Sequence, residues 1–134
     1  MFHLWKITEV YSNADGSVQF IELRVNVSGE NFIANHVISF TPTGGSAVNY
    51  TIPTNLVGNT SNKSLLLATS GFSSLPGGVT PDFIIPSGFL SAGGGTLNVF
   101  GVDSITFGTG VLPTDGVNSL NPFPMSASGT PQTA

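Results

Sequence analysis

The sequence predicts an all-β protein that folds as one domain. Apolar and polar residues alternate over several short segments, which is the pattern of half-buried strands. These segments are separated by turns rich in glycine and proline, of which the chain has 17 and 9. No segment keeps a helical period long enough for an ordinary helix. Many short strands separated by such turns are typical of a sandwich or a barrel.

The first two strands, within residues 2–27, form the most strongly patterned part of the chain. We predict a hairpin with a three-residue loop, residues 14–16, closed by Gly16 at positive φ. The loop length places Asn13 opposite Ser17 and therefore Ile7 opposite Leu23. This register predicts one nearly apolar face, formed by Trp5, Ile7, Glu9, Tyr11, Gln19, Ile21, Leu23 and Val25. The other face carries Lys6, Thr8, Glu22 and Arg24.

The same register separates the two strand carboxylates. Glu9 is expected on the apolar face, whereas Glu22 is expected to face water and to form a weak ion pair with Lys6. Paired carboxylates can act as acid and base on sugars, but side chains on opposite faces cannot share a site. Phe20 is the exception on the polar face, and we interpret it as a contact for a partner or for the C-terminal segment.

The remaining strands are predicted from shorter patterns. Strands are expected at residues 35–40, 48–52 and 64–68, followed by one helical turn within residues 70–75. The three consecutive leucines of residues 65–67 indicate a strand buried on both faces. Residues 83–85 lie between Pro81 and Pro86 and indicate a short edge strand. Residues 96–100 and 103–107 form a late hairpin.

The last part of the chain changes character, so we divide it into a sandwich, residues 1–110, and an extended segment, residues 111–134. This segment combines four prolines with the apolar residues Leu120, Phe123 and Met125. It is expected to pack either along its own sandwich or on a neighbouring subunit. Together with Phe20, these three residues are the predicted interface candidates.

Parts of the chain resemble the lamin tail domain family. That family opens with a strand of the form Ile-x-Glu-[Ile/Val] and then an aromatic-Ile-Glu-Leu strand, matched here by Ile7, Glu9, Val10, Phe20, Ile21, Glu22 and Leu23. Residues 90–108 are similar to its closing hairpin. The family's Gly-Trp after the third strand is missing, since Trp5 is the only tryptophan. The resemblance implies an immunoglobulin-like antiparallel β-sandwich and a non-catalytic module of secreted bacterial proteins.

Charge excludes several classes of partner. Only 7% of the residues are charged, three of them basic, and the formal net charge is −4. Nucleic-acid binding needs a basic patch that the chain cannot supply, so none is expected. No apolar run approaches the roughly 18 residues of a membrane span, so no membrane insertion is expected. A surface of Ser, Thr, Asn and Gly indicates an extracellular or cell-surface protein, whose signal sequence we expect to be absent from this chain.

No motif for catalysis or for a cofactor is present. The chain has no cysteine, no Gly-x-Ser-x-Gly elbow and no His-Glu-x-x-His motif, so we predict neither a catalytic site nor a cofactor. Asp15, Asp103 and Asp115 are weak calcium candidates, because aspartate is common in turns and turn chemistry explains such residues without a metal. Two functions stay open: a structural or interaction module that self-assembles into an oligomer, filament or surface layer, and a ligand-binding module for calcium or glycan.

Overall fold

The computed structural model describes residues 5–25, 33–56, 63–73, 80–114, 119–122 and 125–128. In chain order, the elements are β1 (Lys6–Ser12), β2 (Gln19–Val25), β3 (Val37–Pro42), β4 (Val48–Thr51), β5 (Lys63–Ala68), α1 (Ser70–Ser73), β6 (Phe83–Ile84), β7 (Gly95–Val99), β8 (Asp103–Phe107), β9 (Ser119–Pro122) and β10 (Met125–Ser128). The prediction of an all-β protein is confirmed, and each predicted strand lies within two residues of an observed one.

The strands form two sheets that pack face to face. One has the order β10-β9-β1-β2-β5-β6 and the other the order β4-β3-β7-β8. The orders β1-β2-β5 and β4-β3-β7-β8 resemble the A-B-E and C′-C-F-G arrangement of immunoglobulin domains. The predicted β-sandwich is confirmed. One pair departs from the antiparallel pattern, because β6 runs parallel to β5. The connection through α1 supplies the crossover that a parallel pair requires.

The main core lies between the two sheets. Alternate side chains of both sheets point into it, and its fully buried members include Ile7, Leu23, Ile38 and Leu97. In β5, Leu65 and Leu67 enter this core while Leu66 points to the other side of the sheet, and all three are buried. The prediction that this strand is buried on both faces is therefore confirmed.

The first hairpin contains two irregularities that the predicted register lacks. The N–H of Asn13 donates to the carbonyl of Val18 at 2.9 Å, so the loop has four residues, 14–17, instead of three. This moves every pair near the turn by one position. A bulge between Ile7 and Glu9 then moves the register back, and Ile7 faces Leu23 as predicted. The predicted pairing is therefore wrong from Glu9 to the turn and correct beyond the bulge.

The bulge changes which side chains enter the core. Val10 lies in the main core, where the predicted register placed Glu9 and Tyr11. The predicted joint burial of Trp5, Ile7, Ile21 and Leu23 is confirmed. Lys6 is exposed as predicted, but Glu22 is buried, so its predicted contact with water is wrong.

A second apolar cluster covers the outer face of the six-stranded sheet. Tyr11 and Phe20 stack with their ring centroids 5.3 Å apart. The ring centroids of Phe20 and Phe72 are 5.4 Å apart in an edge-to-face arrangement. Phe20 has no exposed surface, so the exposed ring expected on this face is absent. The four-residue loop pairs Tyr11 with Phe20, so the two rings stack, and Phe72 of α1 packs against Phe20 as well.

The segment that follows residue 110 contributes two strands to the same sheet. β9 pairs with β1, where Leu120 faces Val10, and β10 pairs with β9. Leu120 is 1% exposed and belongs to the main core, so it has no surface to offer another subunit. Phe123 and Asp115 lie outside the described residues, and for Met125 only the backbone pairing is described. An interface role for Met125 and Phe123 stays a prediction.

Candidate functional site

Two carboxylates lie side by side on the outer face of the six-stranded sheet. Glu9 in β1 faces Glu22 in β2 directly, and their side chains are 1% and 8% exposed. The prediction that they point to opposite sides is wrong, because the bulge turns Glu9 away from the core. Like charges directly opposite on neighbouring strands destabilise a sheet, so this pair is the least expected feature of the hairpin.

The surroundings of Glu22 favour its protonated form. Its removal from water raises its pKa, the hydrogen bond from Thr8 opposes this shift, and the nearby charge of Glu9 adds to it. Arg24 lowers the pKa more weakly, and the resulting shift is upward. The hydroxyl of Thr8, at the bulge, lies 2.9 Å from Oε1 of Glu22 and 3.1 Å from its carbonyl oxygen. The bulge therefore brings the two acids together and also supplies a hydrogen-bond donor for one of them.

A buried pair of acids differs from the pair that glycoside hydrolases use. Those enzymes place two carboxylates on either side of a cleft that admits the sugar and, in inverting enzymes, a water molecule. Glu9 and Glu22 are nearly closed to solvent, and Leu66 of β5 flanks Glu22. This geometry offers a sugar no access to the two carboxylates.

Asp103 and Asp15, the two calcium candidates within the described residues, each have a structural partner. Oδ2 of Asp103 accepts a hydrogen bond of 2.9 Å from the N–H of Ile7. Oδ1 of Asp15 accepts from the hydroxyl and the N–H of Ser17, at 2.7 and 3.0 Å. Asp103 contacts the start of β1, whereas Asp15 lies in the turn that follows the end of β1. The structure therefore does not bring the two acids together. In the described ranges, no three acidic, histidine or cysteine side chains are grouped as metal ligands would be.

A pocket of about 260 Å³ opens at the tip of the first hairpin. Its walls are the turn at residues 12–16 and the loop at residues 88–92. Gln19 joins these walls: its Nε2 donates to the carbonyl of Leu90 at 2.9 Å, and its Oε1 accepts from the N–H of Leu90 at 3.0 Å. The sequence alone did not single out Gln19, because the predicted register placed it among core side chains. The sequence does contain a sign of its role, because Gln19 is a polar amide on a strand face that is otherwise formed by Ile21, Leu23 and Val25.

The edge strands of the sandwich differ in the features that prevent pairing with a strand of another chain. β4 carries the sequence Val48-Asn49-Tyr50-Thr51, which has no charge and no proline, and Val48 is 40% exposed. β6 has only two residues, with Pro81 and Pro86 close on either side. β8 begins with Asp103, which ties it to β1. The fourth edge, β10, follows Pro124 directly, and β4 has Pro53 two residues beyond its end. β4 itself contains neither a charge nor a proline, and among the described strands it pairs with β3 alone.

The outer face of the four-stranded sheet carries no charge at its described strand positions. These positions alternate with core residues and are Val37, Ser39, Thr41, Asn49, Thr51, Thr96, Asn98, Ser104 and Thr106. The hydroxyls of Thr96 and Thr106 are hydrogen-bonded across neighbouring strands at 2.9 Å. The uncharged β4 edge is therefore continuous with an uncharged face.

Comparison with models of known protein families, with curated proteins and with solved structures found no match. In the part of the chain that the structure describes, no helix has the length and apolar character needed to cross a bilayer.

Proposed function

We propose that this chain is a non-catalytic structural or interaction module, outside the cell or on its surface, that associates with copies of itself through β4. The observation that carries the proposal is the uncharged edge of this strand, which pairs with β3 alone among the described strands. The lamin tail resemblance is part of the same proposal, since it implies a module of this kind in a secreted protein.

The outer edge of β4 presents backbone groups suited to strand addition. β4 pairs with β3 along its whole length, and no other described strand pairs with its second edge. Its side chains are exposed except for that of Tyr50, which is partly buried against the core. Strand edges of this kind pair with other chains unless a charge, a proline or a bulge prevents it.

A symmetric pair of β4 strands is the simplest assembly. Two antiparallel copies of β4 related by a two-fold axis would join two four-stranded sheets into one continuous sheet. The net charge of −4 and the uncharged outer face give little repulsion between such copies. A filament or layer needs a second contact besides this one, and the segment of Met125 and Phe123 is the proposed source.

The experiment measures molar mass by light scattering over a range of concentrations. A variant carrying Asn49→Lys and Thr51→Lys places two charges on β4, and we expect it to stay monomeric where the unmodified chain associates. Ser104→Lys with Thr106→Lys is the matched control, because it adds the same charge to β8. We expect this control to associate like the unmodified chain.

Two results would contradict the proposal. One is an unmodified chain that stays monomeric at the highest concentration reached. The other is equal dissociation of the two lysine variants, because that would assign the effect to net charge instead of to the β4 edge. Melting temperatures of both variants establish that any loss of association is not a loss of folding.

A further inference from the structure

We propose that the pocket at the tip of the first hairpin binds one sugar residue of an uncharged saccharide. This inference goes beyond the proposed self-association and does not depend on it. The pocket lies at the turn between β1 and β2 of the six-stranded sheet, whereas β4 belongs to the four-stranded sheet. Three properties of the pocket support this inference: its rigid walls, the polar groups that line it, and its size and charge.

The walls of the pocket are held together by hydrogen bonds. Gln19 is fully buried, and its amide contacts both backbone groups of Leu90. Its Nε2 also donates to the hydroxyl of Ser12 at 3.1 Å, and the N–H of Gly88 donates to the carbonyl of Gly16 at 3.0 Å. Two loops joined in this way keep their spacing without a ligand, which lowers the entropic cost of binding.

The lining offers the groups that recognise hydroxyls. Hydrogen bonds from the hydroxyl and the N–H of Ser17 lower the pKa of Asp15, so its exposed carboxylate is ionised at neutral pH. A carboxylate has about four acceptor positions, so Asp15 can accept from a ligand as well as from Ser17. Asn13 and Ser91 add an amide and a hydroxyl to the same rim. The Asn13 amide already donates to Ser17 and accepts from the N–H of Val18, and Ser91 accepts from the N–H of Gly93. One amide N–H and the hydroxyl proton of Ser91 therefore remain for a ligand. A hydroxyl that donates to an ionised carboxylate forms one of the stronger hydrogen bonds.

The charge and size of the pocket narrow the class of ligand. Among the described residues that line the pocket, Asp15 alone is charged, so an anionic ligand would be repelled. A calcium ion takes six to eight oxygen ligands, usually with several carboxylates, and one carboxylate does not meet that need. The volume of about 260 Å³ lies just below the roughly 300–1,000 Å³ of sites for drug-sized molecules, so it suits one small ring.

The strength of binding follows from what the lining lacks. The described residues that line the pocket include no aromatic ring, so a sugar would gain hydrogen bonds from them but no stacking on a flat apolar surface. We therefore expect dissociation constants on the order of millimolar, which corresponds to about 4 kcal/mol of binding free energy.

The experiment follows backbone amide shifts by NMR during titration of the full chain. The probes are glucose, galactose, N-acetylglucosamine and their neutral oligomers, each to about 50 mM because weak binding is expected. Glucuronate and calcium chloride are titrated separately. We expect at least one neutral probe to shift the amides of residues 13–16 and 90–92 in a saturable way.

Two variants and one control locate the site. Ala92→Phe fills the pocket from its rim and should abolish the shifts at residues 13–16. Asp15→Asn keeps an acceptor for Ser17 but removes the charge, and should weaken binding at least fivefold. Ser104→Phe adds the same ring to β8, outside the pocket, and should bind like the unmodified chain.

Several results would overturn the inference. These are the absence of saturable shifts with every neutral probe, saturable shifts confined to other surfaces, and shifts at this pocket caused by calcium or glucuronate alone. A folded Ala92→Phe variant that binds a neutral probe as tightly as the unmodified chain would also overturn it.

Discussion

The carboxylate of Asp103 accepts a hydrogen bond of 2.9 Å from the backbone N–H of Ile7, next to the bulge of β1. Asp103 opens β8 in the four-stranded sheet, whereas Ile7 belongs to the six-stranded sheet. A bulge disrupts the regular ladder of hydrogen bonds between neighbouring strands. Asp103 therefore supplies an acceptor to a backbone group beside this disruption and links the two sheets along one side of the sandwich.

Replacing Asp103 tests this link. Asp103→Ala should lower the free energy of unfolding by about 1–3 kcal/mol, because it leaves a partly buried N–H without its acceptor. Asp103→Asn keeps an oxygen at this position and should cost less. Urea unfolding provides the measurement, with the exposed neighbour Ser104→Ala as control. Equal stability of Asp103→Ala and the control would contradict the assigned role.

The pair of Glu9 and Glu22 predicts a dependence of stability on pH. The pKa of Glu22 is raised above its usual 4.5 in the folded chain, so between the two values the folded state binds more protons than the unfolded state. The contribution of Glu22 to the free energy of unfolding therefore rises as pH falls from neutral through the raised pKa, and levels off below about 4.5. Glu22→Gln should be more stable than the unmodified chain at neutral pH. Its stability should also lack the rise that Glu22 causes as the pH falls.

A double-mutant cycle separates the repulsion from other effects. Glu9→Gln removes the negative charge that faces Glu22, so Glu22→Gln should gain less stability in the Glu9→Gln background than in the unmodified chain. Melting curves at several pH values provide the data. Additive effects at neutral pH, or a Glu22→Gln variant with the pH profile of the unmodified chain, would show that the two carboxylates do not interact.

Gly16 should be sensitive to substitution because of its backbone conformation. Its φ of 78° lies in the left-handed region, as the turn chemistry predicted, and a β-branched residue resists that conformation. Gly16→Val should therefore cost about 1–3 kcal/mol. Gly108→Val is the matched control, since a Cβ there would meet open space and no positive φ is recorded. Equal losses in thermal unfolding would argue against backbone strain.

Phe20 should behave as a core residue of its own chain. It is fully buried and contacts the rings of Tyr11 and Phe72. Phe20→Ala should cost about 3–5 kcal/mol in chemical unfolding, whether or not the chain associates. Val48→Ala, at an exposed position of β4, should change stability by about 0.5 kcal/mol or less. A folded Phe20→Ala variant of normal stability but altered molar mass would place Phe20 at an interface after all.

The sequence alone determined the features that depend on neighbouring residues. Alternation marked most of the strands, and it identified Ile21 and Leu23 as buried because side chains in a strand alternate between two faces. The run of three leucines at residues 65–67 marked a strand covered on both sides. Turn chemistry located Gly16 and its positive φ, since few residues other than glycine adopt that conformation readily.

Only the tertiary structure decided the register of the first hairpin and everything that depends on it. A three-residue and a four-residue loop both fit the residues around Asp15, and alternation cannot show that a bulge will follow. The contact that accompanies the bulge comes from Asp103, which lies 96 residues along the chain from Ile7. A shift of one residue exchanges the two faces of a strand, and this shift brought Glu9 beside Glu22. Such pairings depend on contacts between distant segments, and no local pattern carries them.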